Sequence, residues 1–335
     1  MESGEKDNGN KKLQDLVLFG DMKSEIRTIE KITKTTQDID QENQIKLYTE
    51  LIPQLGKYKY VCMLKNESRA PIKEVKIKIQ YPVFLKLTRT IPPTIYHTQI
   101  EDKEIEEQSF EQIKVEFDKI QGTENKQVTL YFNPTDSLEE QGEVKSFAAF
   151  INKDDYVRVI NSEPLNIGLK EISIQPKIIP SSEIAEFVKH TEIKKAIKSI
   201  GLGSDKPLDY EFLFNRLEVV LRANNFQYIT KDKEKHIMWY FGNDLESNND
   251  VLVIGQENNR KLEWIITSKD PEIIISTITQ LTHELKENLL RMGIIASEDQ
   301  VFDLECKACG NVLPKFPEKG KIVICSKCGV EQIVW

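Results

Sequence analysis

The apolar positions between Phe226 and Gly293 change period once, and that change organises the reading of the chain. Trp239, Phe241, Leu252, Ile254, Trp264 and Ile266 alternate with polar neighbours at period two, the spacing of half-buried strands. Asn243-Asp244 through Asn249, and Asn258-Asn259, interrupt the alternation where tight turns fall. Asp270-Pro271-Glu272 then supplies an N-cap, a proline at the first helical position and an acid in the first turn. Ile274, Ile278, Leu281, Leu285 and Leu289 follow at spacings of three or four, one apolar stripe that Gly293 ends. Four short strands closed by a long amphipathic helix are predicted.

Upstream, from Ile45 to Ile160, the period is two throughout. Tyr58, Tyr60, Cys62 and Leu64 share a face, as do Val75, Ile77 and Ile79. Ile113, Val115 and Phe117 repeat the pattern, then Val128, Leu130 and Phe132, then Phe147, Ala149 and Ile151. Turn signals at Asn66-Glu67-Ser68, Pro92-Pro93, Gly122-Thr123 and Pro134-Thr135-Asp136 separate them, which predicts an antiparallel, immunoglobulin-like β-sandwich. The acidic run Glu101 to Glu107 reads as a solvated loop, and Leu13 to Thr36 as either a helix or an extended linker. After a strand at Ile172 and Ile174, Ser181 or Ser182 opens a helix through Phe187 and Ile197 to Ile200. Gly201-x-Gly203 reads as its C-cap and turn, and Asp209 opens a second helix to Asn224. The fold class expected is α+β: a sandwich at 44–165, a platform of order β-α-α-β4-α at 166–295 with helices covering an antiparallel sheet, and a small ribbon at 301–335, preceded by a tail at 1–43.

Composition adds exclusions. The chain has 335 residues, 39% apolar and 30% charged, as expected of a soluble globular protein of two or three domains. No apolar run reaches the ~18 residues of a membrane-spanning helix, and Met1 to Lys12 lacks the apolar core of a secretory signal. A net charge of −8 disfavours a chain-wide nucleic-acid surface.

Four of the five cysteines fall in Cys306-x-x-Cys309 and Cys325-x-x-Cys328, each pair followed by glycine. Four thiolates at that spacing suit one tetrahedral ion, and zinc fits a ribbon of this kind. With every position filled by sulfur there is no place for a reactive water, so the zinc is expected to be structural. The ribbon is expected to fold on its metal, independently of the main body. Unpaired thiols without a secretory signal place the chain in the cytoplasm.

Nothing else assembles into a reaction centre. His97, His190, His236 and His283 lie in no metal or triad spacing, and no nucleophile–base set or phosphate loop can be built. Trp239, Tyr240 and Trp264 form the densest aromatic group, either sheet core or a peptide-docking surface.

Two segments carry a family resemblance. Asn66-Glu67-Ser68 leading into Ile72-Lys73-Glu74-Val75-Lys76-Ile77 resembles a turn and strand of the coatomer gamma ear; Trp264-Ile265-Ile266-Thr267-Ser268 running to Pro271-Glu272-Ile273-Ile274 resembles its last strand and closing helix. With the order of elements, Ile45 to Gly293 is similar to the appendage of clathrin adaptors and of the coatomer gamma subunit, a sandwich joined to a platform. The resemblance implies a non-enzymatic module that docks short peptides or protein partners. Where those ears place an anchoring tryptophan, this chain offers Phe187, with Lys189 and Lys194 nearby, as either anchor or core. A zinc-ribbon accessory factor for nucleic acid or its machinery is the alternative, with a basic ribbon face as its mark.

Overall fold

The computed structural model describes residues 43–93, 97–100, 110–135, 141–204 and 207–335. The expectations for Leu13 to Thr36 and for Glu101 to Glu107 fall outside them. By contacts the chain divides into Met1–Gln44 and Ile45–Trp335, and the second unit holds everything described below.

Period-two segments become strands because alternate side chains point to opposite faces. The first ten are β1 (Ile45–Gln54), β2 (Lys57–Asn66), β3 (Ile72–Pro82), β4 (Leu85–Ile91), β5 (His97–Ile100), β6 (Phe110–Ile120), β7 (Asn125–Pro134), β8 (Gln141–Ile151), β9 (Val157–Asn161) and β10 (Leu165–Gly168). They pair into a four-stranded sheet, β1-β2-β7-β4, and a six-stranded one, β10-β8-β3-β6-β5 with β9 also on β8. Between the sheets lies one apolar core containing Tyr60, Leu64, Ile77, Leu130, Phe132 and Phe150. The buried Tyr60 hydroxyl is satisfied by Ser146 Oγ at 2.7 Å. In β8 the buried parity is Val144, Ser146, Ala148 and Phe150, not the Phe147, Ala149 and Ile151 set expected.

The second half contains β11 (Ile174–Pro176), α1 (Ile184–Lys189), β12 (Lys194–Leu202), α2 (Tyr210–Ala223), β13 (Gln227–Asp232), β14 (Ile237–Asp244), β15 (Asp250–Asn258), β16 (Lys261–Ser268), α3 (Pro271–Arg291) and β17 (Val301–Asp303). The strands form one sheet in order β11-β14-β15-β16-β12-β17, with β13 also on β14. Two short strands, β18 (Ile322–Ile324) and β19 (Glu331–Ile333), pair in the C-terminal ribbon.

This corrects the α+β expectation. The helix placed over Ser181 to Ile200 is a six-residue helix burying nothing, and Lys194–Leu202 is a strand inside the sheet, between β16 and β17. The unit is predominantly β, with three α-helices among the described residues. The physical reason lies in Ile193, Ile197 and Gly201: a spacing of four satisfies a helical face and a strand face alike. Packing decides: in β12, Ala196, Ile200 and Leu202 turn together into the core under α2 and α3.

α3 joins the halves. Asp270 caps it by accepting from the Glu272 amide at 2.8 Å. Ile275 enters the sandwich core, while Ile274, Ile278, Leu281, Leu285 and Leu289 enter the sheet core. Each such burial contributes about 1.5–3 kcal/mol. With both sides covered, three of its polar side chains find internal partners: Thr277 and Thr279 donate to Ile273 and Ile275 carbonyls, and Gln280 bridges the Ile172 amide and Asn224.

Candidate metal centre and partner surface

Each CxxCG run folds into a knuckle for a local reason. The Gly310 amide donates to the Cys306 carbonyl at 2.7 Å and the Gly329 amide to the Cys325 carbonyl at 3.0 Å, closing the two turns the same way. Both glycines sit at φ +72°, a region that costs a side-chain-bearing residue energy. The turns point two thiols each at a common centre, where the four Sγ atoms lie within 4.8 Å of one another. Cys306–Cys328 and Cys309–Cys325 are 3.5 and 3.6 Å apart, too far for a disulfide and close to the edge of about 3.8 Å that sulfurs about 2.3 Å from a tetrahedral zinc would have.

The amides of Cys328 and Lys327 bring the Cys325 thiol down to about 6. The Val330 amide pulls Cys328 the same way, yet burial and the neighbouring sulfurs push it up to about 12. Four thiolates this close need a cation among them. The donor set, four soft sulfurs within 4.8 Å of one another, fits a metal ion.

The ribbon is seated on the rest of the unit. Its core is Leu304, Cys306, Leu313, Phe316, Val323 and Cys325. Phe316 lies on Gly201, where an added Cβ would come within 2.1 Å of its ring, and Phe302 and Trp335 cover Gly203 in the same way. The glycine pair is thus a flat strand floor for three aromatic rings, not a helix cap. β17 pairs with β12, the Leu304 amide donates to the Ser199 carbonyl at 3.0 Å, and Lys57 pairs with Glu305. Arg89 stacks over Tyr131 at 3.9 Å, and its guanidinium would lie 3.2 Å from a Cβ at Gly310. Independence of the ribbon is therefore corrected: it packs on both the sandwich and the sheet. Gly201→Ala should dislodge it, lowering stability by about 1–3 kcal/mol in urea melts; an unchanged midpoint would show that the ring can step aside.

The aromatic candidates separate by strand parity. Tyr240 and Trp264 turn to the helix-covered face with Met238, Val253 and Ile266 and are fully buried, so they belong to the core and not to a partner surface. Trp239 turns to the other face and is half-buried. It pairs with Ile254, which pairs with Ile265, which pairs with Ile197, one apolar row across four strands. Ile254 and Ile265 are half-buried and Ile197 is 38% exposed. At one end of this face the ribbon sits on Gly201; at the other, Phe187 packs edge-on to Phe241 at 5.4 Å. Phe187 is half-buried, on a helix with no buried residue, followed by Val188 at 40% exposure. Sequence reasoning missed Ile197, Ile254 and Ile265. Their pairing across strands was the available signal, but it needs the sheet order.

Among the described residues no helix is long and apolar enough to cross a membrane. No protein-family model and no curated protein matches the chain. Solved structures give slight likenesses. A protein from Nocardia farcinica with an immunoglobulin-like fold is 14% identical, covering 38% of this chain and 97% of that one at TM-score 0.24. AvmM, which catalyses macrocyclization in alchivemycin A biosynthesis, is 7% identical over 38% and 89% at TM-score 0.25. The sporulation control protein Spo0M from Bacillus subtilis is 10% identical over 67% and 78% at TM-score 0.21. Likenesses this slight fix neither fold nor activity.

Proposed function

We propose that this chain is a non-enzymatic, cytoplasmic protein-interaction module, held in shape by a structural zinc ion and docking a partner on the open face of its seven-stranded sheet. The observation that carries the reading is the row Trp239, Ile254, Ile265 and Ile197, apolar and only half-covered between α1 and the ribbon. A half-exposed tryptophan flanked by isoleucines gives a rigid anchor at small cost in side-chain entropy. Phe187 extends the face at its α1 end. The coatomer-ear likeness of Asn66 to Ile77 and Trp264 to Ile274 supports docking of short segments as the mode of action.

Zinc, bound by Cys306, Cys309, Cys325 and Cys328, suits four thiolates with no open position. Such thiols persist in a reducing compartment. The nucleic-acid alternative called for a basic ribbon face; the five lysines Lys307, Lys315, Lys319, Lys321 and Lys327 are instead offset by Asp303, Glu305, Glu318 and Glu331, which leaves residues 301–335 near neutral.

A photo-crosslinking residue at Ile197 should capture a protein partner in cells, and Trp239→Ser should abolish the capture while leaving the melting temperature within a few degrees. Capture unaffected by Trp239→Ser would remove the sheet face from the reading.

A further inference from the structure

The sandwich meets the sheet at a second surface of different character, a cleft of about 1110 Å³. Two strand edges line it. β10 ends the six-stranded sheet and β1 ends the four-stranded one, and neither has a strand on its outer side among the described residues. The floor is apolar, with Leu51, Leu165, Ile167, Leu169, Ile172 and Ile273. The rim is acidic: Glu50, Glu171, Glu246 and Glu272 all line the cleft and are exposed. Three further carboxylates in the lining are engaged. Glu143 pairs with Lys145 at 2.6 Å, Asp244 accepts from Ser173 and Ser247, and Asp270 caps α3. Among the described residues Lys170 is the one basic residue in the lining. The field reaches the floor, where burial first, then Glu272 and Asp270, push the Tyr58 phenol well above its ordinary value.

We infer that this cleft takes an extended segment of a partner protein in which lysine or arginine alternates with apolar residues, added as a strand along β10. An open edge satisfies the backbone of an incoming strand, and alternation then sends every second side chain one way. Here one side meets the apolar floor and the other meets the four exposed glutamates of the rim. β10 offers three residues, Leu165 to Ile167, because the Gly168 carbonyl already accepts from the Tyr58 hydroxyl at 3.1 Å; that is a length of about 10 Å at strand rise. The charge selects a cationic occupant, because an acidic strand would bring like charges onto the rim.

The inference stands apart from the sheet face, and its test keeps them apart. The probe is a fluorescein-labelled nonapeptide of alternating lysine and valine, titrated against the full chain by anisotropy at low salt. It should bind, weaken as salt is raised, and lose about tenfold or more in affinity to the triple variant Glu50→Lys, Glu171→Lys, Glu246→Lys. These three side chains are exposed, and a melt of the variant checks that the fold is kept. Methylating alternate probe amides should also abolish binding, since an added strand needs those N–H groups. Trp239→Ser should leave the titration unchanged. Equal binding of a glutamate–valine probe, an indifferent triple variant, an indifferent methylated probe or no binding at all would each overturn the inference.

Discussion

Removing the zinc proposed for the four thiols, by chelator or by Cys306→Ser, is expected to release residues 301–335 from the sheet while the sandwich stays folded. The ribbon's own core is six side chains, two of them ligand cysteines, which is too little apolar surface to hold a fold without the ion. Binding of a structural zinc to such a site contributes on the order of 10 kcal/mol. The loss should not stop at the knuckles. β17 is paired to β12, the Gly203 amide donates to the Gln300 carbonyl, and Phe302, Phe316 and Trp335 stack over the two glycines. Hydrogen exchange before and after chelation should show lost protection in β17, the ribbon and the outer half of β12, with Tyr60 and Ile77 amides still protected. Loss confined to 304–335 would mean that the pairing of β17 with β12 holds without metal. Uniform loss would mean that the sandwich depends on the ribbon too.

What could be read in advance was whatever is decided locally. CxxCG states its own geometry, because the ligand spacing and the left-handed glycine both belong to one turn. Asp270-Pro271-Glu272 likewise starts α3 with its own cap. The errors occur where distant chain decides. Nothing around Gly201-x-Gly203 announces that Phe316 and Trp335 come to lie on it. In β8 the run Phe147-Ala148-Ala149-Phe150-Ile151 is apolar at both parities, so alternation alone cannot name the inner face. The same holds for the aromatics of β14 and β16. One face of that sheet is covered by α2 and α3, and the other only at its ends, by α1 and the ribbon. Trp239 and Trp264, each apolar and each in a strand, therefore part company.

The other large effect is expected from Lys261→Met. Lys261 and Glu263 are 7% and 4% exposed on β16. The lysine donates to Glu263 Oε1 at 2.7 Å and to the Leu313 carbonyl of the ribbon at 3.2 Å, while Ser199 and Gln256 donate to the same carboxylate. The pair thus sits under the ribbon and ties it to the sheet. Removing the cation leaves a buried carboxylate with neutral donors only, which costs about 3–5 kcal/mol. Lys261→Met with Glu263→Met should recover a large part of that loss, because two apolar side chains of similar volume leave no charge behind. Acid provides the second reading. Burial alone would raise the Glu263 carboxyl, but its bonds to Lys261, Ser199 and Gln256 outweigh burial and hold it below the ordinary 4.5. A carboxyl depressed in the folded state contributes stability that is present above its unfolded value and lost as pH falls through the folded one. In Lys261→Met the largest lowering influence goes while burial and the bonds to Ser199 and Gln256 remain, so the carboxyl rises and protonation costs the variant less than it costs the native chain. Urea melts should therefore show the widest gap between the two at neutral pH and a narrowing gap below 4.5. A gap under about 1 kcal/mol at neutral pH, the range of an exposed pair, or one that does not change with acid, would mean that water reaches the pair and that the aromatic seat alone holds the ribbon down.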